Sequence, residues 1–192
     1  MGLIKKYQTG GAYDLLMNST IEREGGNKQF YEDLMNKISH HESKYPVNKD
    51  GVTTYKYNDP SSKQVGGGPG RGLYMFEEGE DKGGITAVNR TYQYMKRNDL
   101  RIPEWLNKAY KYKTFDASSV GEYEQRMLFL GNYLEHEKAD FNKLVTGAED
   151  VKTFWGKYHQ TQNDPKKLEN FDKDLLEYEK TKVKRNSTLL NK

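Results

Sequence analysis

Apolar residues recur at intervals of three and four positions along most of the chain, which is the period of an amphipathic α-helix. In the first half, this spacing predicts one helix over 12–24, ended by a pair of glycines, and a second helix over 28–43. The same period resumes at Ile85 and continues to Met95. We interpret the apolar residues of these segments as core positions.

The second half of the chain carries signals for the starts of further helices. Pro103 stands near a first helical position, and Ser119 and Glu122 have the spacing of a capping box before a long amphipathic run. Residues 146–149 repeat that spacing, and a breaker over 163–165 precedes a last apolar-periodic stretch. We therefore expect this half to be almost entirely helical.

Residues 44–71 differ from the helical segments on both sides. They are polar and rich in Tyr, Gly and Thr, and Asp50-Gly51 is followed by alternating β-formers as far as Tyr57. This pattern predicts a β-hairpin, and a glycine-rich loop over 66–72 follows it. The order of elements predicts a mostly α (α+β) fold, a helical domain with one small β-hairpin lobe.

The length of 192 residues suits a single domain with a small appendage. We expect one domain over 1–181, with a first part over 12–100 and a helical part over 103–181, followed by a basic flexible tail over 182–192. Hydrophobic residues make up 34% of the chain and aromatic residues 12%. The core must therefore be rich in aromatic side chains whose polar tips reach its edge.

The charge and the residue types exclude several classes of partner. The formal net charge is +3, and the last eleven residues hold four basic residues and no acid, so the rest of the chain is close to neutral. A nucleic-acid-binding protein would carry a strongly basic patch, and this distribution of charge does not predict one. No apolar run is long enough to cross a membrane, and the absence of cysteine excludes disulfides and thiolate ligands. We expect neither a nucleic acid nor a membrane as partner.

A phosphate-binding loop and a zinc site are both suggested by residue types, but the spacing of the residues matches neither motif. The glycine run over 66–72 matches no phosphate-binding motif, and we expect it to let a polymer approach the backbone closely. His40-His41-Glu42 lacks the second histidine of a His-Glu-x-x-His zinc motif, because Tyr45 occupies that position. We predict no cofactor and no metal site, with His41 packed at a site edge or exposed.

Glu42 is the residue that the pattern marks for chemistry. It lies four positions after Ile38 and so continues the apolar face of its helix. It also lies in the last turn, where the helix dipole disfavours a negative charge, as burial does. Both effects favour the protonated acid that a general acid must be near neutral pH. The alternative is an ordinary salt bridge at the helix edge, with Lys37, Lys44 or Arg71.

Two short motifs give Glu42 a wider context. Glu42-Ser43 ends a predicted helix, and the sequence Gly-Leu-Tyr-Met-Phe-Glu begins 30 residues later, at Gly72. This arrangement resembles the lysozyme and lytic transglycosylase superfamily, in which a Glu-Ser pair ends a helix and a Gly-Leu-Met-Gln-like turn follows a β-lobe. The interval is similar to that of goose-type lysozymes, and the glycine loop with Arg71 is similar to bacteriophage-encoded members. The resemblance covers residues 28–95, about a third of the chain.

The resemblance implies a lysozyme-like fold, with the part over 12–100 forming a cleft, and a role for each matching residue. Glu42 takes the position of the general acid, and Ser43 takes a position that braces the site. Tyr74 falls where an aromatic or Met residue lines the cleft. Met75 stands where the family usually has Gln, and Met cannot donate a hydrogen bond to substrate. The predicted substrate-binding set is completed by Tyr57, Gly72 and Phe76.

A hydrolase of this kind also needs a second carboxylate. The two groups lie about 5–5.5 Å apart in retaining enzymes and about 6.5–9.5 Å apart in inverting ones. Asp59, before Pro60, is our candidate, and Asp50 is the other acid of the predicted lobe. Both have ordinary turn interpretations, and Glu77 has one as a helix-entry residue. A lytic transglycosylase needs no second carboxylate, because the substrate's own N-acetyl group assists a single acid.

The activity that the resemblance implies is cleavage of the β-1,4 bond between MurNAc and GlcNAc in peptidoglycan, with no cofactor. The expected partners are glycan strands and other virion proteins. The expected source is a bacteriophage, with the protein in the virion or the host cytoplasm before lysis and acting in the cell wall. The start of the chain lacks the apolar stretch of a secretory signal, which suits this expectation. The alternative is a virion structural protein that keeps the lysozyme-like frame with little or no activity.

Overall fold

The structure, a computed structural model, describes residues 11–43, 70–77, 82–137, 139–158 and 164–190. In these residues the fold is mostly helical, as the apolar period predicted, with one short β-hairpin. The elements in chain order are α1 (Ala12–Glu24), α2 (Lys28–Ser43), β1 (Gly70–Arg71), β2 (Phe76–Glu77), α3 (Gly83–Arg97), α4 (Glu104–Tyr112), α5 (Glu122–Leu134), α6 (Phe141–Val145), α7 (Val151–Tyr158) and α8 (Pro165–Leu190).

Aspartate side chains cap the starts of α6 and α7, and these caps differ from the predicted capping boxes. Ser119 lies in a 3₁₀ turn, and α5 starts after Gly121 without a side-chain cap. The long run predicted after it is broken into α5 and α6 at Asp140, whose carboxylate accepts from the Asn142 amide at 3.0 Å. Asp150 caps α7 in the same way, because its carboxylate accepts from the Thr153 amide at 2.8 Å. An aspartate next to the first turn satisfies amides that the predicted Ser and Thr do not reach.

Helix α5 is the centre of the molecule. All of its residues from Gln125 to Leu134 are buried, and it packs against α3 and α1. Gly131 permits the close approach of α3, because a Cβ at that position would lie 2.4 Å from the Thr91 hydroxyl oxygen. Eight of the twelve largest fully buried side chains are aromatic, which confirms the prediction of an aromatic core.

The hairpin of β1 and β2 is fastened to α5 by one buried amide. The strands are antiparallel, and the turn between them starts at Gly72, whose φ of +74° suits glycine. The Leu73 amide donates to Gln125 Oε1 at 2.6 Å, while Gln125 Nε2 donates to the Ala117 carbonyl at 2.8 Å. A Cβ on Gly72 would lie 2.3 Å from Gln125 Oε1, so the backbone needs a glycine here.

The C-terminal helices pack on the same core as the first part of the chain. Helix α8 lies against both α2 and α7. It extends as far as Leu190, so the range 182–190, predicted as a flexible basic tail, has helical backbone. In the described ranges, the structure contains no helix with the length and apolar character needed to span a membrane.

Candidate functional site

The carboxyl group of Glu42 lies at the end of α2, partly buried, and it has a specific partner from α7. Trp155 Nε1 donates a hydrogen bond to Glu42 Oε1 at 2.5 Å. The Trp155 side chain is almost completely buried, with 1% exposure. A buried indole N–H requires an acceptor, and here the acceptor is the carboxylate that the sequence marked for chemistry.

Aromatic rings from two other helices hold this indole in place. The Phe171 ring of α8 stacks on Trp155, with ring centroids 4.7 Å apart and an angle of 24° between planes. The His41 ring, next to Glu42 in α2, meets Trp155 edge-on at 4.5 Å. Because the indole is packed on both sides, its N–H has a fixed direction toward Glu42.

His41 is itself oriented by an acid on α8. Its Nδ1 donates to Asp174 Oδ2 at 2.6 Å, and its ring also lies 4.8 Å from that of Phe171. This pair joins α2 to α8 beside the candidate acid. The prediction that His41 packs at a site edge agrees with this position, but no sequence pattern identifies Asp174 as its partner.

Tyr133 of α5 is near enough to Glu42 to interact with its charge. Its side chain is 1% exposed. Burial and then the neighbouring Glu42 carboxylate raise the pKa of the Tyr133 phenol well above its usual value, although Arg90 acts in the opposite direction. The phenol is therefore neutral near neutral pH, and Glu42 has a polar but uncharged neighbour in α5.

A row of aromatic rings connects the Glu42 region with the hairpin. Tyr74 in the turn lies 4.7 Å from Phe129, Phe129 lies 4.8 Å from Tyr133, and Tyr133 lies 4.9 Å from Phe154 on α7. The two motifs that are 30 residues apart in sequence are thus joined through α5. Their relative position is set by packing in the core.

The hairpin residues predicted to bind substrate are mostly buried. Gly72 faces Gln125, Tyr74 is fully buried with 0% exposure, and Phe76 is 5% exposed. These three residues are buried because Gly72 and Tyr74 lie against α5, while strand β2, which holds Phe76, packs on α3. Met75 differs, since it is partly exposed and has a φ of +46°.

Several predicted site residues lie outside the described part of the chain. Asp50, Asp59 and Tyr57 belong to residues 44–69, as does the hairpin predicted after Asp50, and their roles stay predictions. Ser43 ends α2, and the structure describes its backbone alone. The cleft predicted between this lobe and Glu42 also stays a prediction.

Of the three salt-bridge partners predicted for Glu42, the structure pairs Lys37 with other acids. Lys37 pairs instead with Asp33 at 3.0 Å and with Glu179 at 2.9 Å. The side chains of the other two predicted partners, Lys44 and Arg71, are not among those that the structure describes. Glu77, predicted at a helix entry, is exposed in strand β2, five residues before Lys82 caps α3.

No three His, Asp or Glu side chains come together as a metal site within the ranges that the structure describes. His40, the neighbour of His41, is buried and lies 6.0 Å from the Tyr178 ring. Burial lowers the pKa of His40, which favours its neutral form. The histidines beside Glu42 are thus used in packing and in the pair with Asp174.

Sequence reasoning missed the residues that surround Glu42. Trp155, Tyr133 and Phe171 have the spacing of apolar helix faces, which predicts core positions, and all three are buried. One signal was present: the chain has 2 Trp, and an indole on an apolar face needs an acceptor for its N–H. That signal predicts an acceptor for Trp155 but cannot identify Glu42, which is 113 residues away.

Comparison with protein-family models, with curated proteins and with solved structures found no match to this chain. The resemblance to the lysozyme and lytic transglycosylase superfamily therefore depends on the chain's own sequence motifs and stays a prediction.

Proposed function

We propose that this protein cleaves the β-1,4 bond between MurNAc and GlcNAc in peptidoglycan, with Glu42 as the general acid, as part of a bacteriophage virion. The observation that carries the proposal is the hydrogen bond from the Trp155 indole to the Glu42 carboxyl group at the end of α2. A general acid has to be held in one orientation toward the bond that it protonates. Three helices contribute to that orientation here.

The chemistry assigned to Glu42 is a single proton transfer. Its carboxyl proton moves to the glycosidic oxygen, the bond from that oxygen to the sugar C1 breaks, and both electrons of the bond leave with the oxygen. Glu42 is then a carboxylate. The Trp155 N–H stabilises this negative charge, since a hydrogen bond to an ionised acceptor is stronger than one to a neutral group.

The fate of the sugar C1 separates two mechanisms. In a lytic transglycosylase the 6-hydroxyl of the same sugar bonds to C1, and its proton returns to Glu42, which leaves a 1,6-anhydro end. In a hydrolase a water adds to C1, and a second carboxylate takes part. Asp59 is the proposed second carboxylate in that case.

The test is the variant Glu42→Gln, which keeps an oxygen that can accept from Trp155 but cannot supply the acidic proton. We expect the rate of peptidoglycan cleavage to fall by about 10²- to 10⁴-fold, the usual contribution of a general acid. Turbidity of purified sacculi gives the rate, and mass spectrometry of the products distinguishes an anhydro end from a reducing end. The matched control is Glu77→Gln, an exposed carboxylate of the hairpin, which should cleave at the wild-type rate.

A virion structural protein with little or no activity is the second candidate. It is favoured by the burial of Gly72, Tyr74 and Phe76, which serve packing whether or not a substrate binds. In that case wild type and Glu42→Gln should both leave sacculi intact. Cleavage by wild type that is absent in Glu42→Gln and normal in Glu77→Gln rejects this candidate.

A further inference from the structure

A second surface of the molecule carries exposed aromatic side chains that no part of the proposed reaction uses. Among the described residues, large hydrophobic side chains with more than half of their surface exposed are Tyr112 at 63%, Tyr123 at 62% and Leu176 at 62%. Soluble proteins usually keep such side chains apart, and exposed aromatic clusters mark binding sites. Tyr112 and Tyr123 are not scattered, because each lines a cavity beside α4.

The two cavities meet at a single indole. Tyr112 lines a cavity of about 640 Å³ together with Phe115, and Tyr123 lines one of about 590 Å³. Trp105 lines both. These volumes are in the range of small-ligand sites. We call the aromatic residues on the two sides of this shared indole the α4 surface, defined by Tyr123, Trp105, Tyr112 and Phe115.

The charges of the α4 surface are balanced. Its two cavities are lined by four basic and four acidic side chains. Two of these pairs are already joined as ion pairs, Lys28 with Asp14 at 3.2 Å and Lys108 with Glu104 at 2.7 Å. A polyanion would find no excess of positive charge here, and nucleic-acid binding requires such an excess.

The balanced charges of the α4 surface favour a ligand that is polar but uncharged. Its aromatic rings favour a ligand that also has apolar faces. A pyranose ring has such faces in its axial C–H groups, and these pack on Trp and Tyr rings. Its hydroxyl and N-acetyl groups are donors and acceptors that match paired Lys and carboxylate side chains. A chain of amino sugars presents these features once per ring, which suits a surface with several aromatic side chains in succession.

We propose that the α4 surface binds a peptidoglycan glycan strand outside the catalytic site and holds the protein on the cell wall. This inference rests on the proposed function, because that function identifies the polymer. The surface gives a second point of attachment to the same strand or a neighbouring one. A second attachment raises the effective concentration of Glu42 at its bonds without a new catalytic contact.

The experiment measures sedimentation of the full chain with purified sacculi in the Glu42→Gln background, so that the polymer stays intact. The double variant Tyr112→Ala with Tyr123→Ala should weaken binding by about tenfold or more, as the loss of two aromatic anchors does at other interfaces. The control Leu176→Ala removes an equally exposed apolar side chain from α8 and should bind as its parent does. Tyr112→Phe with Tyr123→Phe keeps both rings and should also bind.

Three results would overturn the inference. The first is equal binding to sacculi by the double alanine variant and by the Leu176→Ala control. The second is binding of a single-stranded oligonucleotide, lost in the double alanine variant, with no binding of sacculi. The third is dimerisation through this surface, detected by analytical ultracentrifugation and abolished by the same variant. Failure of the proposed function is a separate result, since it is measured as cleavage by the wild-type chain.

Discussion

The end of α2 and the hairpin turn over 72–75 carry the two parts of one sequence motif, but they differ in what their side chains contact. At the end of α2, a partly buried carboxyl group accepts from Trp155 and lies beside His41. In the turn, Tyr74 is fully buried and the Leu73 amide is bound to Gln125. One region holds the proposed general acid, and the other is fastened into the core.

This difference shows that a motif can combine a chemical part with a structural part. A glycine and an aromatic residue in the turn are needed so that the hairpin can lie against α5, whether or not they touch a substrate. The structural role of Glu42 is limited to accepting the Trp155 N–H, and a Gln could accept that hydrogen bond in its place, whereas a Met would leave the N–H without an acceptor. Variants in the hairpin should therefore change stability most, and variants around Glu42 should change activity most.

The largest effect on stability is expected for Gly72→Ala. The new Cβ would lie 2.3 Å from Gln125 Oε1, and the φ of +74° is unfavourable for alanine. We expect a loss of about 3 kcal/mol in the free energy of unfolding, from backbone strain and broken buried hydrogen bonds. Urea denaturation measures it. Gly147→Ala is the control, since Gly147 has the same φ with nothing within 4 Å, and its loss should be about 1 kcal/mol. Equal losses of stability in the two variants would show that the Gln125 side chain moves to make room for the new Cβ.

Trp155→Phe should have the largest effect on activity after Glu42→Gln. It removes the N–H that binds Glu42 and keeps an aromatic ring against Phe171. A hydrogen bond to a charged group contributes about 1.5–3 kcal/mol, so we expect peptidoglycan cleavage to slow by about 10- to 100-fold. Phe154→Leu, a buried change of volume in the same helix, is the control. If both variants lose activity equally, packing of α7 is the cause rather than the hydrogen bond.

Asp174→Asn should have a smaller effect on activity. It weakens the hold on His41, whose ring packs against Trp155, and leaves Glu42 with its own partner. We expect cleavage to slow by about fivefold, the effect of roughly 1 kcal/mol. Asp172→Asn, on the same helix, changes a half-exposed carboxylate that is paired with Lys152, and it should have no effect on the rate. A wild-type rate of cleavage in Asp174→Asn would show that the pair of His41 and Asp174 joins α2 to α8 and has no effect on catalysis.

Met75→Gly should have the smallest effect on stability and the opposite sign. Met75 has a φ of +46°, which costs a residue with a side chain about 1–2 kcal/mol, partly offset by the greater flexibility of glycine when unfolded. We expect a gain of about 0.5–1 kcal/mol in urea denaturation, similar to that of Lys113→Gly at a φ of +57°. A gain in stability with slower cleavage would place the Met75 side chain at the substrate, and unchanged cleavage would exclude it.

The positions of the helices followed from the sequence to the extent that local forces fix them. The predicted ranges 12–24 and 28–43 match α1 and α2, because an apolar period and glycine stops act within a few residues. The predicted cap at Ser119 was wrong, since Asp116 accepts from the backbone there and α5 starts after Gly121. Caps depend on which of several nearby oxygens reaches an amide, and the sequence offers more than one.

The sequence by itself determined the helical class, the aromatic core and the selection of Glu42, because each follows from composition or from spacing within one helix. Only the tertiary structure decided that Trp155 from α7 holds Glu42, that Asp174 from α8 holds His41, and that Tyr74 faces α5 instead of a cleft. These contacts join residues up to 133 positions apart. Their pairing is selected by the packing of whole helices, and neither residue taken alone identifies its partner.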